Sequence, residues 1–108
     1  MPDLVVILTT MPADNDARTD ELARVLVDER LAACVNVHGP MMSTYRWKGA
    51  VERDTERQLV IKTTRDRVSA LKTRLHQLHP YELPEFIVVG VEGGSDAYLA
   101  WVTAETRP

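Results

Sequence analysis

The sequence holds one thiol, Cys34, and three imidazoles, His38, His76 and His79. To act as a ligand or a nucleophile, Cys34 has to be a thiolate, a form that nearby positive charge favours. Lys62 and His79 are the residues offered for that neighbour. A small apolar residue at the start of a strand is the plainer reading of the same cysteine. His79 precedes Pro80, which holds its ring on a stiff backbone and suits a ligand. A histidine closing a helix also interacts well, when cationic, with the helix dipole. His76 lies on nearly the same helical face, and a His-x-x-His pair binds a divalent ion when a third ligand joins it. His38, beside Gly39-Pro40, reads as solvent-facing.

The stretch HPYELP, residues 79 to 84, raises the sharper question. Pro80 and Pro84 fix φ, so the side chains between them have little entropy left to lose on binding. We expect a stiff rim that presents His79, Tyr81 and Glu82 to a cleft; the alternative is a simple turn with Tyr81 packed on a neighbour. Tyr45, Arg46 and Trp47 would stack on a ligand or on an adjacent subunit. The charge run Arg53, Asp54, Glu56, Arg57 reads as a solvated strand face with intersubunit ion pairs. Met11, Met41 and Met42 offer thioethers to copper(I), or serve as packing.

These residues need elements to position them. Leu4 to Leu8 is a β-branched and apolar run, the pattern of a central strand. Asp14 or Asp16 in MPADNDA is placed to cap a helix carrying Leu22, Val25 and Leu26, which fades near Arg30. A second strand starts near Ala33, bends at Gly39-Pro40 and continues as MMSTYRW. Lys48-Gly49 suits a tight hairpin turn into a third strand, AVERDTERQLVIKTT. So long and polar a ribbon suggests an arm reaching beyond its own subunit. Thr64 is placed to cap a second helix with Val68, Leu71, Leu75 and Leu78 inward, and Pro80 ends it. Phe86 to Val91 reads as a buried fourth strand, and Ser95-Asp96 caps a last helix burying Leu99, Val102 and Trp101.

The order β-α-β-β-α-β plus a helix is the ferredoxin-like split βαβ: an α+β fold whose first and third strands lie at the centre of an antiparallel sheet. One sheet face is left without helices, and oligomerisation is the simplest way to cover it. With 108 residues, 44% hydrophobic and 27% charged, we expect a single domain over residues 1–108. A net charge of -3 from evenly mixed residues supplies no basic footprint for nucleic acid and no polybasic patch for a membrane. No apolar run approaches the roughly 20 residues of a membrane span. MPDLVVILTT lacks the basic start of a signal peptide, and one cysteine suits a reducing compartment, so a cytoplasmic protein is expected. No oxyanion loop or third orienting residue accompanies Cys34 and His79, so no enzyme is expected.

Five segments in order, RLAACVNV (30–37), STYRWKG (43–49), LVIKTTRD (59–66), HPYELPE (79–85) and SDAYLAWV (95–102), resemble the CutA family of divalent-ion tolerance proteins. That resemblance implies a tight homotrimer whose hairpin arms pair with neighbouring subunits, and tolerance of copper and other divalent cations. We expect Cys34, Lys62, Tyr81, Glu82 and Trp47 to share a ligand cleft, with His79 and Cys34 as metal ligands, and the family topology would bring Cys34, Lys62 and His79 near one intersubunit cleft. Copper-binding members use a cysteine after the first strand and two adjacent histidines before Pro-Tyr. Here those positions hold Thr9, Leu78 and His79, so only the last donor remains. The competing functions are a small-molecule-sensing signalling trimer, with Gly93-Gly94 ahead of a capped helix as an anion site, and a Cys/His enzyme.

Overall fold

Strand β1, Leu4–Pro12, runs along the middle of a four-stranded sheet. The structure, a computed structural model, describes residues 3–108. Helix α1 (Asp16–Asp28), the hairpin β2 (Cys34–Trp47) and β3 (Ala50–Thr64), a 3-10 turn (Arg65–Arg67) and helix α2 (Val68–Leu78) follow. Strand β4 (Ile87–Gly90) and helix α3 (Asp96–Glu105) complete the chain. The sheet order is β2-β3-β1-β4, antiparallel throughout, with β1 and β3 central as expected. No helix among the described residues is long and apolar enough to cross a membrane.

Several boundaries differ from the sequence reading, each for a local reason. β1 continues past Leu8 to Pro12, because Thr9 to Pro12 find ladder partners in Leu59 to Glu56. The cap of α1 is neither Asp14 nor Asp16 but Asn15 between them, whose side chain accepts from the Arg18 amide at 3.1 Å. Thr64 precedes the 3-10 turn and makes no cap bond; its hydroxyl donates to the Asp66 carboxylate instead. Two sequence signals hold as read. Lys48 and Gly49 both have positive φ, 49° and 82°, as a two-residue hairpin turn requires. Gly39, at φ 109°, sits in the bulge between His38 and Met41, where a Cβ would come within 3.1 Å of the Glu56 carbonyl oxygen.

Alternation sorts the sheet into two faces. Val5, Ile7, Leu59 and Ile61 pack under Leu22 and Leu26 of α1 and Leu71 and Leu75 of α2, all fully buried. The opposite face carries Leu4, Val6 and Leu8 of β1, with Val60 and Lys62 of β3 and Cys34 of β2. Helix α3 covers one end of it, where Val102 packs with Leu4 and Ala33. The rest is open. β4 is not the buried strand expected: Ile87 is 49% exposed and Val89 45%. Trp101 is not buried either, and lies outward against the Tyr98 ring, centroids 5.5 Å apart.

Candidate functional site

The end of α2 sets the site. Residue 79 leaves helical geometry with ψ 136°, as a residue before proline must, and its amide still donates to the Leu75 carbonyl. This turns the His79 ring inward, where it is buried. Nδ1 accepts the Tyr81 amide hydrogen at 3.0 Å, so Nε2 carries the proton and donates to the Thr10 carbonyl at 2.6 Å. Burial pushes the His79 pKa down from its usual value. The neutral ring is a tie between β1 and the rim, and neither nitrogen keeps a free lone pair for a metal.

Tyr81 is tied in turn to the hairpin. Its hydroxyl donates to Glu56 Oε2 at 2.7 Å, and burial, then that carboxylate, hold the phenol well above its ordinary range. Glu56 is only 7% exposed, so the reading of its charge run as a solvated strand face fails at this residue. Its neighbour Arg57 pairs within the chain, with Asp16 at 2.8 Å, rather than standing free for another subunit. Farther along the rim, Gln58 donates to the Thr9 carbonyl at 2.7 Å and to Glu85 at 3.0 Å. The Tyr45 hydroxyl donates to Asp54, and that bond pushes its pKa up to about 12.

Between rim and hairpin lies a cleft of about 910 Å³, walled by Tyr81, Glu82, Trp47, Tyr45 and Glu56. Across its mouth Lys48 Nζ stands 3.9 Å from Glu82 and 5.5 Å from the centre of the Trp47 ring. Three of the five expected cleft residues, Trp47, Tyr81 and Glu82, line this cleft within the chain.

The other two do not join them within the chain. Cys34 and Lys62 are cross-strand partners, and Lys62 continues the register to Val6. His79 is anchored at Thr10, four residues farther along β1, or roughly 13 Å at strand rise. The Lys62 ammonium turns to Asn36 Oδ1 rather than to the thiol, and Cys34 Sγ lies 3.8 Å from the same oxygen. One chain thus offers no shared Cys34–His79 coordination sphere. Nor do His76 and His79 form a chelate, since His76 Nδ1 faces the Lys72 carbonyl at 2.8 Å. Thr9 lies fully buried on the helix side with its hydroxyl unpartnered, and Leu78 packs against the core. Among the described residues no three histidine, cysteine or acidic side chains converge as a metal-holding group.

Sequence reasoning missed Glu56, Gln58 and Thr10. The available signal was parity: Glu56 and Gln58 share the face of Val60 and Lys62. The charged neighbours of Glu56 hid it.

Residues 5–105 match the family described as CutA1 divalent ion tolerance protein. The divalent-cation tolerance protein CutA of Thermus thermophilus is 44% identical over 101 residues, covering 94% of this chain and 96% of that protein. The protein of the same name from Pectobacterium atrosepticum is 44% identical over 105 residues, covering 97% and 94%. The crystal structure of CutA from Xylella fastidiosa superposes with a TM-score of 0.91 at 47% identity, over 97% of this chain and 99% of the other.

Proposed function

Because the chain belongs to the CutA1 divalent ion tolerance protein family, we propose that it acts in the cytoplasm as a homotrimeric divalent-cation tolerance protein. Its single ferredoxin-like domain, residues 1–108, would place ligand clefts at the subunit seams and carry out no reaction of its own. The observation that supports the trimer is the open sheet face. Val6, Leu8 and Val60 lie half-covered there beside exposed Ile87 and Val89, and among the described residues the outer edge of β4 has no partner strand. Hiding such side chains is worth roughly 1.5–3 kcal/mol each, and a free strand edge invites pairing. Copper is the ion the resemblance suggests. Cys34 is the soft donor on the face that assembly would cover, while His79, engaged at both nitrogens, positions the rim. Sedimentation equilibrium tests the trimer: we expect three times the 12.2 kDa chain mass, and a stable monomer at micromolar concentration overturns the reading. A rise in melting temperature with copper that Cys34→Ala abolishes tests the donor.

A sensing trimer is the second reading, and the aromatic cleft favours it. The Cys/His enzyme lacks its geometry within a chain, because the thiol and the imidazole stand at different stations along the sheet.

A further inference from the structure

The cleft between the hairpin and the rim combines two features that a metal site does not need. Its acidic groups, Glu56, Glu82 and Glu85, are not gathered as a metal-holding group, and three aromatic side chains, Tyr45, Trp47 and Tyr81, line the same cleft. Carboxylates that do not converge cannot complete the coordination sphere of a small divalent ion. Separate carboxylates in a cleft that also carries π-faces suit a longer guest whose positive charges are themselves spaced, with apolar links between them.

Glu56 is the second observation. It is more than nine-tenths buried and lines the cleft, yet no basic side chain among the described residues lies within ion-pair distance of it. One of its oxygens takes the Tyr81 hydroxyl; the other has no hydrogen-bond partner among the described residues. That oxygen is not among the buried unpartnered atoms, so it faces the cleft, where a ligand's cation can pair with it. The chain also shows what such a cation does at the mouth. Lys48, a primary ammonium on an alkyl stem, rests over Trp47 and against Glu82.

We propose that this cleft binds a flexible organic polycation of the alkylpolyamine class, with one ammonium at Glu56 behind the Tyr81 hydroxyl and another replacing Lys48 at Trp47 and Glu82. This rests on reading the cleft as a ligand site that stays open when the subunits assemble, and it requires no metal ligation. The aromatic walls distinguish such a guest from a hydrated metal ion, which gains little from a π-face.

Titration of the full-length protein with spermidine, followed by Trp47 fluorescence in a Trp101→Phe background, tests the idea. We expect saturable binding of one spermidine per chain at about 150 mM salt, the ionic strength at which diffuse surface attraction is screened beyond roughly 8 Å. Glu56→Gln keeps the shape of the carboxylate and an acceptor for Tyr81, and should weaken binding at least tenfold. Glu21→Gln, which removes the same charge from an exposed face of α1, should change it less than twofold. Lys48→Ala should strengthen binding several-fold by removing the internal competitor, whereas Lys72→Ala on α2 should not. Equal effects of the cleft and control variants, or no saturable binding, overturn the proposal. Sedimentation of the same samples separates the two readings: a monomer that binds spermidine sinks the trimer alone, and a trimer that ignores it sinks the polycation site alone.

Discussion

The open face of the sheet carries polar chemistry in two places, built on opposite terms. At one end Cys34, Asn36 and Lys62 form a short cross-strand group in which the asparagine amide receives both neighbours. These residues are half-buried or exposed, and water can substitute for each contact. At the other end a chain of hydrogen bonds runs from the Thr10 carbonyl through His79 to the Tyr81 amide, and from the Tyr81 hydroxyl to Glu56. Here the ring and the carboxylate are more than nine-tenths buried. The reactive residue type stands at the first end, but the structure invests its order at the second. Burial with satisfied hydrogen bonds, more than nucleophilicity, marks the organised site.

Removing the ring is the strongest way to break that contrast. His79→Ala strands a buried carbonyl at Thr10 and the Tyr81 amide, and should cost about 2–4 kcal/mol in urea unfolding at fixed protein concentration. An equal loss from Cys34→Ala would abolish the distinction. Tyr81→Phe is a finer cut. It leaves the rim in place but withdraws the hydroxyl from Glu56, and should cost about 1–3 kcal/mol, the price of an unsatisfied buried acceptor. Tyr45→Phe, at the exposed Asp54 pair, should cost under about 0.5 kcal/mol by comparison.

Acid probes the same end without mutation. His79 titrates below its ordinary value of 6.5 in the folded chain, chiefly through burial, so above 6.5 both folded and unfolded states hold it neutral. As the pH falls below 6.5 the unfolded state takes up the proton first, and stability declines until the folded pKa is passed. The direction agrees with the geometry, since a protonated Nδ1 cannot accept the Tyr81 amide. The facing groups are Glu56, whose charge favours the proton, and His76, whose charge opposes it. The slope of unfolding free energy against pH between 6.5 and 5 should therefore be smaller in His79→Gln. An unchanged slope would place the titrating group elsewhere.

How much of this was legible beforehand follows the same division. Periodicity placed the helices because Leu22 and Leu26, and Leu71 and Leu75, bury one stripe each whatever the neighbours do. The hairpin turn was legible because Lys48-Gly49 admits the positive φ that few pairs tolerate. The end of α2 was legible from Pro80, which has no amide hydrogen to donate. The separation of Cys34 from His79 was not, because it depends on β1 carrying its ladder to Thr10 and beyond, a matter of register between strands far apart in sequence. Nor was the burial of Glu56, since only its tertiary neighbours Thr10 and Tyr81 distinguish it from the charges beside it.

A small effect is also expected at Cys34. Among the described residues its sulfur donates to Asn36 Oδ1, 3.8 Å away, and that amide retains Lys62 whether or not the thiol is present. A serine there loses little packing from a half-buried position, so Cys34→Ser should change stability by less than about 1 kcal/mol. Labelling with a thiol reagent then reads the environment directly. In a dissociated chain the half-buried thiol should react within the folded state, whereas a trimer that covers this face should protect it until subunits separate. Protection that rises with protein concentration ties Cys34 to the covered face. A rate independent of concentration, in a sample shown by sedimentation to be trimeric, would leave Cys34 outside the interface and remove it from any seam-bound metal site.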